Sequence, residues 1–314
     1  MLPPVPTPEA LKSIVRDDAA LREGVAAICA RHHLDASGAT RMPGGSVPVY
    51  AVGAQRVLKL FPPGDEAFAQ TEWRSLTAVH ARLPIPTPAP IATGACGDWR
   101  YVLMSRLHGH LLVEAWPSLS AYDRDRLATE LGHGIAALHA IDPADPSAAV
   151  SWADFLRAQR ENAVARQQAR GLDPRWTEQI PDFLAATPTD DPPRALLHTE
   201  LMREHLLVTE GADGWRLSGL FDFEPSMVGA PAYDLASFGV FVSCGDGRFL
   251  RRAMAAYGAR PDAALQRRAL AYAILHRYSN LRWYLERVPP GAGDQTLDDL
   301  ARRWWSFDDG APGG

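Results

Sequence analysis

Apolar residues recur near helical spacing from residue 9 to residue 33, through Leu11, Ile14, Val15, Leu21, Val25 and Ile28, which predicts a helix. The pattern then switches. From Met42 to Phe61 the order Met-Pro-Gly-Gly-Ser-Val-Pro-Val-Tyr-Ala-Val-Gly-Ala-Gln-Arg-Val-Leu-Lys-Leu-Phe predicts two strands joined by a tight turn around Gly53 and entered through a Gly-Gly loop. A helix over about 65–82 follows. The stretch 83–91, with a proline at every second position from Pro84 to Pro90, is an extended connection, because each proline removes a donor and restricts the residue before it. Arg100–Met104 reads as a short buried strand, and Leu107-His-Gly as a turn.

Beyond that turn the periodicity is mostly helical. Ser120-Ala-Tyr-Asp123 resembles a capping box and opens a helix whose Leu127, Leu131, Ile135 and Leu138 form one stripe. Residues 152–170 and 261–287 predict further long helices. Between them, 205–208 and 215–221 predict short strands around a Gly211–Gly214 turn. The fold expected is α+β, with residues 1–106 as a strand-rich lobe and 107–314 as a helical one.

A chain of 314 residues that is 46% hydrophobic can bury a sizeable core. A net charge of -5 gives no sign of a polyanion-binding surface, so no nucleic-acid partner is expected. The scattered Cys29, Cys96 and Cys244 fit neither a disulfide framework nor a thiolate metal site, which makes a reducing cytoplasmic setting the default. Neither a signal peptide nor a membrane span is expected.

Three features carry chemistry. Lys59 stands alone in the apolar run Val57-Leu-Lys-Leu-Phe61 and needs an anion if buried, with Glu72 on the next helix as its natural partner. A lysine snorkelling from an edge strand is the plainer alternative. Gly44-Gly45-Ser46 would let amides approach a phosphate, although such turns also start hairpins for conformational reasons alone. The third is the loop His198-Thr-Glu200-Leu-Met-Arg-Glu-His205, followed by Asp222 at the end of a buried strand. In kinase sites a loop acid orients the acceptor hydroxyl, a residue five positions on binds metal, and a strand-end aspartate holds the bridging metal. Glu200, His205 and Asp222 fall at those places, and an ordinary hairpin with solvated loop charges is the alternative. The spacing of His198, Glu200 and His205 matches neither the His-Glu-x-x-His zinc motif nor its inverse.

Taken in order, Lys59, Glu72, Tyr101–Gly109, the His198 loop, Asp222-Phe223 and Gly229-Ala-Pro-Ala-Tyr-Asp234-Leu-Ala resemble the aminoglycoside phosphotransferase and choline kinase group over residues 40–245. The resemblance implies a protein-kinase-like bilobal fold, with a mixed sheet in the N-terminal lobe. It implies transfer of the terminal phosphate of ATP or GTP to a small-molecule hydroxyl, an aminoglycoside or related antibiotic being one candidate acceptor. Lys59 would contact phosphates and Glu72 would fix it, with Gly45 and Ser46 at the phosphates as well. Ser105 and Leu107 would meet the base. Asp222 would bind a divalent cation, Mg2+ or Mn2+, and Asp234 would brace the loop.

The family loop reads His-Gly-Asp-Leu-x-x-x-Asn, whereas this chain has Thr199, Glu200 and His205 for the Gly, Asp and Asn. Thr199 predicts an altered loop path, and Glu200 a carboxylate carried one methylene further out. His205, a poorer ligand for magnesium than for manganese or zinc, is shared with macrolide kinases of the group. A nucleotide-binding protein without transferase activity is therefore the alternative function. Trp283, Tyr284, Trp304 and Trp305 could wall an acceptor pocket or simply fill the core. Glu161, Asp182, Asp190, Asp191 and Glu286 are the carboxylates available to a cationic acceptor.

Overall fold

The computed structural model describes residues 1–5, 7–142, 151–189, 194–260 and 262–306. Asp190 and Asp191 lie outside the described residues. The chain divides into two compact units, Met1–Gly109 with Ser218–Pro225, and His110–Leu217 with Ser226–Gly314. The division is therefore not a single cut: a short downstream segment returns to the first unit. No described helix is long and apolar enough to cross a membrane.

The first unit opens with two helices rather than one, α1 (Pro8–Ile14) and α2 (Asp18–Arg31). The break falls where Asp17 takes an extended conformation and its side chain accepts the Ala20 N–H, capping α2. Strands β1 (Thr40–Arg41), β2 (Val49–Val52) and β3 (Arg56–Phe61) follow, then α3 (Glu66–Val79), β4 (Pro90–Cys96) and β5 (Trp99–Ser105). The sheet order is β1-β2-β3-β5-β4, and every pairing is antiparallel, which corrects the expected mixed sheet. Strands β1 and β4 were not foreseen. Strand β1 is two residues long, and β4 begins on the last proline of the extended run, at an edge where a missing donor does no harm.

Because side chains alternate across a strand, β3 sends Leu58 and Leu60 to one face and Lys59 to the other. Leu58 and Leu60 are fully buried in a cluster with Trp99, Tyr101 and Leu103 of β5 and Leu21, Val25 and Ile28 of α2. Helix α3 packs on β3, β4 and β5, and Lys59 meets Glu72 on that helix.

In the second unit come β6 (His110–Leu111), α4 (Leu112–Ala115), α5 (Ala121–His139), α6 (Trp152–Ala169), α7 (Pro174–Thr177) and α8 (Ile180–Ala185). They are followed by β7 (Ala195–Leu197), β8 (Leu206–Gly211), β9 (Gly214–Leu220), which continues into the first unit, and β10 (Met227–Gly229). Helices α9 (Ala232–Ser237), α10 (Gly247–Tyr257), α11 (Ala263–Leu275), α12 (Leu281–Arg287) and α13 (Leu297–Trp304) complete it. Ser120 and Asp123 form the expected capping box at the start of α5. The single helix expected over 261–287 is interrupted after Leu275, and Asn280 caps the new start by accepting the Trp283 N–H. Strand β7 pairs antiparallel with β10, with Leu197 opposite Met227, and this pairing presents the loop after residue 197.

Candidate active site

Lys59 sits mid-strand, opposite Val49 on β2 and Val102 on β5, and is 7% exposed. That central, buried position rules out a snorkelling edge lysine. Its Nζ lies 2.8 Å from Glu72 Oε2, 2.5 Å from Asp222 Oδ1 and 2.8 Å from Glu224 Oε2. Glu72 also accepts the Phe223 N–H on Oε1 at 3.3 Å, so one carboxylate ties the lysine strand to the turn that carries Asp222. The return segment is anchored as well by the Leu220 N–H, which donates to the Pro86 carbonyl at 2.9 Å.

One ammonium among three carboxylates leaves this cluster with a formal charge of about -2. Burial alone would depress the pKa of Lys59, but Asp222, Glu72 and Glu224 together override it and hold the value well above the usual lysine range. Burial raises the Glu72 carboxyl, with Asp222 and Glu224 adding to the effect and Lys59 opposing it. Glu224 Oε2 is buried and lies 2.8 Å from Nζ, but makes no hydrogen bond. Glu72, Asp222 and Glu224 each bring a carboxylate oxygen to within 4.8 Å of the others. An excess of negative charge, hard oxygen donors and an oxygen without a hydrogen bond fit a divalent cation such as Mg2+. Glu72 is committed to Lys59 and Phe223, so Asp222 and Glu224 are the residues suited to hold it.

Asp222 has φ +73°, a left-handed conformation rare for a non-glycine residue. Gly44 and Gly45 have φ +81° and +80° and are exposed with Ser46 in the turn between β1 and β2. The Gly-Gly loop is thus the turn of a hairpin rather than a lead-in to one, closed by the Met42 N–H donating to the Val49 carbonyl. The positive φ calls for glycine here, since a Cβ on Gly44 would meet nothing within 4 Å. Ser105 ends β5; its N–H donates to the Ala89 carbonyl at 2.9 Å and its Oγ accepts the Ala89 N–H at 2.8 Å. Leu107 follows in the half-buried stretch after the strand.

In the second unit, the loop from His198 to His205 hangs on Asp234. This fully buried carboxylate accepts the His198 N–H on Oδ2 at 2.8 Å and the Thr199 N–H on Oδ1 at 2.7 Å. His139, from the end of α5, reaches the same Oδ2 at 3.1 Å and Tyr257 Oη at 2.9 Å. Thr199 has φ +71°, so it takes the left-handed backbone that suits a glycine, and that feature of the loop persists despite the side chain. Glu200 is half-buried. His205 Nδ1–H donates to the Glu200 carbonyl at 2.9 Å. The Glu200 N–H donates to His198 Nδ1 at 3.3 Å. Both rings therefore engage the Glu200 main chain. Arg203 is buried over Trp116, 3.4 Å from the ring centroid, and donates to the Val242 and Ser243 carbonyls; burial lowers its pKa to about 10.

Sequence reasoning passed over Glu224, whose signal was an acid two residues beyond Asp222. It also passed over His276, which no motif or spacing in the sequence singles out. Tyr284, Trp304 and Trp305 are core residues, whereas Trp283 is half-buried against Phe241. Glu161, Asp182 and Glu286 are exposed, and Glu286 pairs with Arg282.

The architecture is shared with antibiotic kinases of known structure. Aminoglycoside 2'-phosphotransferase-IIIa in its GDP complex is 18% identical, with 87% of this chain and 97% of that chain covered and a TM-score of 0.66. The streptomycin-ATP-APH(2")-IIa ternary complex is 16% identical, covering 91% and 97%, with a TM-score of 0.61. Macrolide 2'-phosphotransferase MphH from Brachybacterium faecium is 22% identical, covering 87% and 99%, with a TM-score of 0.58. No curated protein sequence matches the chain significantly. At these identities the structural likeness establishes the fold, α+β and kinase-like. The family itself follows from the sequence model described as the phosphotransferase enzyme family, which matches residues 39–271: the chain belongs to the aminoglycoside phosphotransferase family.

Proposed function

We propose that this protein transfers the terminal phosphate of ATP or GTP to a hydroxyl of a small molecule, with antibiotics such as aminoglycosides or macrolides as the first acceptor classes to test. The observation that carries the reading is the buried Lys59 held by Glu72 beside Asp222 and Glu224. A charged lysine in a dry strand is costly unless the site has a use for it, and a triphosphate with its cation is such a use.

In this reading Lys59 neutralises phosphate oxygens, Glu72 orients it, and Gly45 and Ser46 offer main-chain amides from a turn that glycine alone enters without strain. Any contact from Ser105 to a base would come from its carbonyl, since its N–H serves Ala89; Leu107 would add a main-chain N–H. A divalent cation, held by Asp222 and Glu224, would supply charge stabilisation at the phosphoryl group. Glu200 accepts or orients the acceptor proton, and His198 orders the loop through the Glu200 N–H. His205 is the second metal ligand or loop anchor.

The experiment is calorimetric titration with ATP and GTP, with and without Mg2+, followed by a phosphate-transfer screen of aminoglycosides, macrolides and amino alcohols. Asp222→Ala should abolish metal-dependent nucleotide binding. Transfer that is lost in Glu200→Gln and retained or raised in Glu200→Asp supports the enzyme. Binding without transfer to any acceptor would instead support the nucleotide-binding alternative that the Glu200 and His205 replacements suggest.

A further inference from the structure

The Thr199 peptide is gripped from two directions. Its N–H donates to Asp234, and its carbonyl accepts from His276 Nε2 at 2.7 Å. The Tyr278 N–H donates to His276 Nδ1 at 3.2 Å, so Nδ1 carries the lone pair and Nε2 the proton. The ring lies against Tyr233 at 5.1 Å and 21° and meets Phe241 edge-on at 6.2 Å. It is 4% exposed, and its own carbonyl is held by Arg166 at 2.7 Å. The imidazole is therefore fixed independently of the loop it touches. Burial lowers its pKa to about 4, so it is a neutral donor near pH 7.

Thr199 needs such a hold. A β-branched residue at φ +71° is strained, and without a restraint on both ends of its peptide the backbone would relax toward negative φ and swing the next residue, Glu200. We propose that His276 is a positioning residue for phosphotransfer, clamping the Thr199 carbonyl so that a loop without the usual glycine still presents Glu200. The inference rests on the phosphotransfer reading for its catalytic consequence, but the clamp itself can be read without turnover.

The test compares His276→Phe, which keeps a stacking ring and deletes the N–H, with His276→Gln, which restores a donor. Amide hydrogen exchange of a peptide covering residues 196–206 should rise about tenfold in His276→Phe, the scale of one lost hydrogen bond. The kcat for transfer should fall roughly ten- to a hundredfold with little change in nucleotide KM. His276→Gln should recover part of both. Adding Thr199→Gly to His276→Phe should recover most, because glycine keeps a positive φ unaided. Unchanged exchange in a folded His276→Phe protein, or a double variant as impaired as the single one, overturns the clamp. Raised exchange in a protein whose wild type transfers no phosphate leaves the clamp standing and refutes the phosphotransfer reading instead. Imidazole nitrogen NMR of the wild type needs no variant: an Nδ1–H tautomer or an imidazolium at pH 7 refutes the assignment.

Discussion

Replacing Lys59 with Met keeps most of the side-chain volume and removes the ammonium that faces three carboxylates. Glu72, Asp222 and Glu224 have side-chain exposures of 1%, 24% and 15%, too little for water to compensate fully. Breaking a buried ion pair by removing one partner costs about 3–5 kcal/mol, and the loss near pH 7.5 should fall in that range. The pH dependence identifies the cause. Glu72 is raised above the usual glutamate value even with Lys59 present, and losing the lysine removes the charge and hydrogen bond with which Lys59 lowers it. A carboxyl whose folded pKa lies above its unfolded value stabilises the fold fully below the unfolded value, near 4.5. That contribution is lost as pH rises through the folded value. The deficit of Lys59→Met should therefore be largest at pH 7–8 and shrink as pH falls toward 4. Urea unfolding followed by circular dichroism at several pH values measures it, and millimolar Mg2+ should restore the variant more than it stabilises the wild type. A deficit below about 1 kcal/mol at pH 7.5, or one equal at pH 4 and pH 8, would refute the electrostatic account.

Wild-type stability should fall as pH drops from 6.5 toward 4, because His276 titrates near 6.5 when unfolded and at about 4 when folded. The loss is about 3 kcal/mol by full protonation, and His276→Phe should lack it in an acid-unfolding series. Asp234→Asn keeps one acceptor but cannot accept the His198, Thr199 and His139 donors together, and should cost about 1–3 kcal/mol by thermal or chemical unfolding. Gly132→Ala should destabilise by about 1–3 kcal/mol or more, since the new methyl would lie 2.3 Å from the Ala253 carbonyl where α5 packs on α10; a wild-type melting temperature would show that the helices can separate there.

Much of this architecture was legible because it is local. The β2–β3 hairpin, α3 and α5 announce themselves through alternation, helical spacing and a capping box, and the Lys59–Glu72 pair follows from the cost of an unpartnered buried charge. What escaped was non-local. Short β1 and β7 carry too few residues for a period, and their pairing partners decide them. The helix breaks at Asp17 and Asn280 are capping events inside an unbroken apolar rhythm. Glu224 and His276 look ordinary in sequence because their significance lies in what they touch: an ammonium many residues upstream in one case, and the carbonyl of a strained threonine in the other. Thr199 shows the opposite limit, since its side chain suggests a rerouted loop whereas the contacts around it keep a backbone suited to glycine.

The excursion of Ser218–Pro225 back to the first unit has a consequence for biosynthesis. During translation the first unit's sheet can pair its strands early, but Lys59 will have Glu72 alone until Pro225 has left the ribosome. A gene fragment ending at Gly109 would encode a lobe missing two of its three acids, so this lobe cannot be exchanged between genes as one uninterrupted cassette.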